Sequence, residues 1–105
     1  MADELRATED PEVHDHASRM RYEITLDGAL AGYALYSRHG DTVTFTHTEI
    51  DPNAEGHGLA SRLAKAALDD VRARRLRVVA QCPFFSGFIE RHPDYSDLLD
   101  APNPS

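Results

Sequence analysis

The sequence predicts an α+β fold built on a mixed four-stranded sheet, in the element order β-β-β-α-β-α. Three observations predict it. Three segments of alternating or β-branched residues follow one another at hairpin spacing between Arg21 and Ile50. The apolar period then switches from two to nearly four at Leu59. One helix later, the short β-branched run Leu76–Gln81 returns the chain to the sheet.

Each element has its own signal. Residues 1–18 carry few large apolar side chains and no sustained period, so they are expected to form an acidic flexible arm. Arg21-Tyr22-Glu23-Ile24-Thr25-Leu26 alternates and is stopped by Asp27-Gly28, a strong hairpin dipeptide. Leu30–Arg38 is the second strand and ends at His39-Gly40-Asp41; Thr42–Ile50, dense in threonine, valine and phenylalanine, is the third. Leu59, Leu63, Ala67 and Val71 form one i, i+4 row flanked by Ala60, Ala64 and Leu68, with Arg62, Lys65, Asp69 and Arg72 on the opposite face. That is an amphipathic helix of roughly 16 residues. The fourth strand stops at Cys82-Pro83, because proline lacks a donor and restricts its predecessor. Phe84–Arg91 reads as helix, Pro93 closes it, and Tyr95–Leu99 is a short amphipathic piece. A strand, a crossover helix and a further strand favour parallel pairing of the third and fourth strands. The folded domain is expected over residues 19–100, with 101–105 as a tail.

Composition narrows the function. With 105 residues the chain makes one domain. Its single cysteine, Cys82, excludes an internal disulfide and any zinc site built on two thiolates. A net charge of −7 opposes nucleic-acid binding, which needs a basic surface to displace phosphate counterions. No apolar run reaches the ~18 residues of a membrane span, and the acidic opening is the wrong chemistry for a signal peptide, so a cytoplasmic protein is expected. His14 and His16 form a His-x-His pair, but no His-Glu-x-x-His or close Cys/His spacing accompanies it, and no metal is expected.

The chemistry is concentrated in Glu55-Gly56-His57-Gly58-Leu59-Ala60, between the third strand and the long helix. Its glycines let a ligand approach the backbone, and the positive end of the helix dipole points to the same place. Together they make a seat for a phosphate or diphosphate; a plain turn is the alternative. Two familiar phosphate loops do not fit. A Walker-type loop needs Lys then Ser or Thr where Leu59-Ala60 stands, and a dinucleotide fingerprint needs Gly or Ala at Ser61.

A strand followed by Gly-x-Gly-x-Ala at the head of a helix resembles the acetyl-CoA diphosphate loop of the GNAT acetyltransferases. Thr46-His47-Thr48-Glu49-Ile50, Gly56-His57-Gly58-Leu59-Ala60 and Cys82-Pro83-Phe84, taken in order, resemble a small single-domain GNAT-like N-acetyltransferase family with vertebrate and bacterial members. The resemblance covers about residues 21–100. It implies a truncated GNAT-like fold, an acyl-CoA cleft between the third and fourth strands, and acetyl-CoA as cosubstrate for acetyl transfer to a small amine or a protein lysine. It also implies cofactor contacts at Ile50, Gly56, His57, Gly58, Leu59, Ala60 and Phe84. Glu55 departs from the superfamily's usual Arg or Gln; Arg62, Lys65 or the Arg72–Arg75 cluster is available to offset its charge.

Catalytic candidates follow from what acyl transfer requires, a base for the amine and a donor for the oxyanion or leaving sulfur. By strand alternation Val43, Phe45, His47 and Glu49 share a face, which directs His47 and Glu49 from the core edge toward the cleft as bases. Cys82, at the end of the fourth strand, is the candidate acyl acceptor or proton donor to the coenzyme A sulfur. The structural alternatives are a hydrogen-bonded histidine, a strand-end charge and a small buried hydrophobe. A non-catalytic acyl-CoA-binding or protein-interaction module is the alternative function, since only a hairpin turn joins the first two strands where full-length GNAT enzymes insert helices.

Overall fold

The computed structural model describes residues 11–56 and 58–99. Five strands form one open sheet in the order β1-β2-β3-β4-β5: Glu12–His16, Arg21–Leu26, Ala29–His39, Thr42–Ile50 and Arg77–Ala80. The first four pair antiparallel and β5 joins β4 in parallel, as the crossover requires. Helix α1, Leu59–Ala73, makes the crossover, and helix α2, Pro83–Arg91, follows β5. A 3-10 segment over Pro93–Leu98 closes the described chain. Both central residues of the β2–β3 turn have positive φ, Asp27 at 55° and Gly28 at 81°. That is the primed turn an Asp-Gly dipeptide favours.

Both helices lie on one face of the sheet. The predicted row Leu59, Leu63, Ala67 and Val71 is buried together with Ala64 and Leu68. These pack with Tyr22, Ile24, Val43, Phe45 and Val78 into a single core. Phe45 stacks on Phe85 of α2 with ring centroids 4.1 Å apart, and the Tyr22 hydroxyl donates to Asp70 of α1 at 2.6 Å. α1 ends in a Schellman-type turn, with the Leu76 amide on the Val71 carbonyl at 3.0 Å and Arg75 at φ 61° where glycine is usual. Among the described residues no helix covers the opposite face.

Two expectations are corrected. Residues 12–16 are not a flexible arm but a fifth strand, paired over its full length with β2. The hold is polar rather than apolar. Asp15 accepts from the Tyr36 hydroxyl at 2.6 Å and from Arg74 at 3.2 Å, and Arg74 also pairs with Asp70 at 3.0 Å. Burial and this carboxylate push the Tyr36 hydroxyl up to about 12. Residues 1–10 and 100–105, the rest of the expected arm and the tail, lie outside the described residues.

The second correction concerns strand alternation. Leu35 pairs with His47 but Tyr36 pairs with Phe45, so Thr46 is an extra residue in β4. The bulge reverses the alternation beyond it. Val43 and Phe45 face the helices, as do Thr48 and Ile50, which sit opposite the buried Ala34 and Gly32. His47 and Glu49 pass to the open face.

Candidate active site

β4 and β5 part company in mid-sheet. Their pairing runs from Thr42–Arg77 to Phe45–Ala80 and stops, while β4 continues to Ile50. The last contact is a shared acceptor, for the amides of Gln81 and Cys82 both donate to the Phe45 carbonyl, at 3.0 and 2.9 Å. The chain then turns into α2 at Pro83, leaving the outer edge of Thr46–Ile50 without a strand partner. The Cys82 sulfur meets the Thr48 hydroxyl at 3.2 Å across this gap. Cys82 is buried, and Phe84, the second residue of α2, is half-buried against Phe85 and Phe88.

Beyond Ile50 the chain makes a short 3-10 turn, Pro52–Ala54, capped by the Asp51 carboxylate on the Asn53 amide at 3.0 Å. Gly56 and Gly58 follow, with φ of 92° and 69°, and Gly58 is the N-cap of α1. It brings no side-chain cap. Among the described residues no oxygen accepts from the amides of Gly56, Gly58, Leu59 or Ala60, so the first turn of α1 presents unpaired donors at its positive end. The Leu59 side chain is buried in the core, which leaves only its amide for a ligand; Ala60 is half-buried and Glu55 exposed. His57 lies outside the described residues. Arg62, one turn into α1, makes no ion pair among the described residues, whereas Lys65 is held by Asp69 at 3.1 Å, Arg72 by Asp97 at 2.9 Å and Arg74 by Asp15 and Asp70. Arg62 and Lys65 border a hollow of about 320 Å³ with Phe88, His92 and Tyr95.

His47 and Glu49 come together, with Nε2 and Oε1 3.2 Å apart. Tyr33 joins them from β3, its hydroxyl donating to the same Glu49 oxygen at 2.9 Å. The Tyr33 hydrogen bond, then the His47 contact, holds the Glu49 carboxyl below its ordinary range; the same bond raises the Tyr33 hydroxyl. Cys82 is not part of this group. Its thiol is on the helix face and the pair is on the open face, and Thr48, between His47 and Glu49, links the two regions. Sequence reasoning missed Tyr33 and Thr48. Pairing outward from the Gly40-Asp41 turn would have brought Tyr33 near Glu49, although the extra residue in β4 hides the true register.

A parallel strand pair that splays over a glycine-rich helix start is the architecture of an acyl-CoA-type transferase fold. Residues 21–98 match the family of GCN5-related N-acetyl-transferases. The chain belongs to that family, whose activity is acetyl transfer. It is 33% identical to Protein NATD1 of Bos taurus over 82 residues, 76% of this chain and 72% of that protein. Against Protein NATD1 of Danio rerio the identity is 32% over 90 residues, 82% of this chain and 81% of the relative. The fold is also that of a GCN5-like protein from Staphylococcus aureus (TM-score 0.66, 18% identity, 92% of this chain and 93% of that one). It matches the ribosomal-protein-S18-alanine N-acetyltransferase of Escherichia coli less fully (TM-score 0.54, 18% identity, 76% of this chain and 49% of that one). Among the described residues no cluster of three metal-ligating side chains exists, and no helix is long and apolar enough to cross a membrane.

Proposed function

We propose that this chain moves an acetyl group from acetyl-CoA to an amine. The observation that carries the reading is the parting of β4 and β5, which leaves an extended backbone edge from Thr46 to Ile50 leading to unpaired amides at the head of α1. The residues fit such a donor. A pantetheine arm is amide-bearing and extended, so it takes the place of a strand along that edge, with the backbone of Ile50 as a partner. The amides of Gly56, Gly58, Leu59 and Ala60 suit a diphosphate, and Arg62 supplies the positive charge that Glu55 removes. Phe84 borders the arm from α2.

A thioester supplies an acyl carbon already reactive toward nitrogen. The amine nitrogen bonds to that carbon, the carbon–sulfur bond breaks, and the amine's proton passes to the Glu49–His47 pair. Glu49 is available as a carboxylate, and the Tyr33 and His47 contacts that hold its pKa low make it a weaker base than a free one. The departing sulfur takes its proton from the Cys82 thiol, which is held by Thr48 at the inner side of the gap, and the thiolate left behind regains a proton from water once coenzyme A departs. Direct transfer is favoured over an acyl-Cys82 intermediate, because among the described residues no base lies within hydrogen-bond reach of the buried sulfur.

Calorimetry with acetyl-CoA, followed by coenzyme A release across an amine panel, tests the reading. Binding with turnover supports it. Binding without turnover on any amine leaves a non-catalytic acyl-CoA module, and absent binding refutes both. Intact mass after incubation with acetyl-CoA should show no acetyl adduct that disappears in Cys82→Ala; such an adduct would restore the acyl-cysteine route.

A further inference from the structure

We infer that Arg21 and Glu23, on the open face of β2, are positioning residues for the Glu49–His47 pair: together they hold Tyr33, and Tyr33 holds Glu49. The inference rests on the transferase reading for its effect on turnover, though not for the coupling itself.

Register puts these side chains in line. His14 of β1 pairs with Glu23 of β2, Glu23 with Tyr33 of β3, and Tyr33 with Glu49 of β4, so one row crosses four strands. The neighbouring row is His16, Arg21, Leu35 and His47. Alternation gives both rows to the face that carries no helix, because Tyr22 and Ala34, between them, are buried on the other. Contacts run along and between the rows. Arg21 donates from Nε to Glu23 Oε2 at 2.7 Å and lays its guanidinium 4.8 Å from the centre of the Tyr33 ring. The Tyr33 hydroxyl then donates to Glu49 Oε1, the oxygen that also meets His47.

Glu23 sets this arrangement apart. Among the described residues it is the one buried charged side chain, 8% exposed on a face that no helix covers. Burial raises its carboxyl, but Arg21 and then His16, whose Nδ1 lies 3.2 Å from Oε2, outweigh that and hold it below its ordinary range. His14 approaches the other oxygen at 3.9 Å. An ion pair withdrawn from water adds little net stability, so the pair is poorly explained as a fastener. What it fixes is direction. Tethered to Glu23, the guanidinium stays against Tyr33 instead of ranging through solvent, and its side chain is only 19% exposed. Glu49 raises the Tyr33 hydroxyl, and Arg21 works against that rise, keeping the phenol a ready donor. Glu49 itself is faced by Tyr33 from β3 and His47 on its own strand, with Asp51 two residues on; Glu23 is faced by the β1 histidines, Arg21 and Tyr33. Loosening Arg21 therefore frees Tyr33, and a Glu49 without its hydroxyl partner is a stronger base that is no longer aimed.

The test is a 13C titration of the Glu49 carboxyl in the full chain, run beside coenzyme A release on the amine panel and acetyl-CoA calorimetry. Arg21→Met removes the cation and its tether, and Glu49 should titrate at higher pH, in the direction of Tyr33→Phe. Adding Arg21→Met to Tyr33→Phe should move Glu49 no further, because Arg21 acts through that hydroxyl. Arg21→Lys keeps a cation over the ring and should return Glu49 most of the way. In Arg21→Met kcat should fall about tenfold, less than the ~10²-fold or more of a lost base, with the acetyl-CoA Kd unchanged. Glu23→Gln keeps the shape of the carboxyl and should move Glu49 the same way, so it carries the test if Arg21→Met does not fold. A moved titration in a chain that acetylates no amine supports the coupling while sinking the transferase reading. An unmoved Glu49, with or without a lower Tm, overturns the inference, and continued acetylation would then spare the transferase. A further shift in the double variant overturns it as well, since Arg21 would be acting on Glu49 directly through space.

Discussion

Replacing Gly58 by alanine puts a side chain on a backbone held at φ 69°, ψ 20°, in open space, for beyond its chain neighbours nothing among the described residues lies within 4 Å of the added Cβ. The cost is therefore conformational, about 1–2 kcal/mol for an L-residue in the left-handed region. In the free protein the loop relaxes to avoid it. A coenzyme gripped by the Gly56, Gly58, Leu59 and Ala60 amides must pull the loop back, so the cost moves into binding. At about 1.4 kcal/mol per decade, the acetyl-CoA Kd rises roughly 5- to 30-fold. Gly40→Ala is the matched control: φ is 59°, the space is equally open, and the β3–β4 turn lies at the far end of the sheet. Its strain should appear only as a fall in Tm, roughly 4–8 °C per kcal/mol for a domain of this size. Calorimetric Kd and thermal melts on both variants decide the matter. An unchanged Kd in Gly58→Ala, or an equal loss in Gly40→Ala, would refute the diphosphate seat.

Three further outcomes are expected. Asp15→Ala leaves the Tyr36 hydroxyl and Arg74 without their shared acceptor, costs about 1–3 kcal/mol in chemical denaturation, and speeds amide exchange in residues 12–16 ahead of the rest of the sheet; uniform exchange would show that β1 is held by something else. Arg75→Gly relieves a φ of 61° at the α1 C-terminus and, after the extra entropy of an unfolded glycine, should stabilise the chain by about 0.5–1 kcal/mol, read as a higher urea midpoint at constant m-value. Tyr33→Phe removes the largest influence depressing Glu49, so the carboxyl titrates at higher pH in a 13C experiment and the acid limb of coenzyme A release moves the same way; an unmoved limb with a moved carboxyl would take Glu49 out of the proton path.

Much of the fold is legible because burial writes a period. The i, i+4 row from Leu59 to Val71 could only be a helix with one apolar stripe, and Asp27-Gly28 could only favour a primed turn. β1 carries no such mark. Of its five residues only Val13 packs against the core, and the strand is held by an aspartate whose partners, Tyr36 and Arg74, are 21 and 59 residues away. A solvating acid and a buried acceptor look alike in sequence; what separates them is a hydroxyl and a guanidinium delivered by other elements.

The bulge at Thr46 is the deeper lesson, because the candidate site depends on it. Unbroken alternation from Val43 would have driven His47 and Glu49 under the helices, where a carboxylate is costly without a buried partner. The extra residue instead sends Thr48 and Ile50 inward and gives the charged pair to the open face, beside Tyr33. One trace of this exists in the sequence. Gly32 sits in mid-strand, where glycine is otherwise a poor choice, and a Cβ there would collide with the Ile50 side chain that the bulge turns toward it. Gly32→Ala should accordingly displace Ile50 and weaken acetyl-CoA binding along the outer edge of β4, read as a higher calorimetric Kd; an unchanged Kd would take Ile50 out of the cofactor edge.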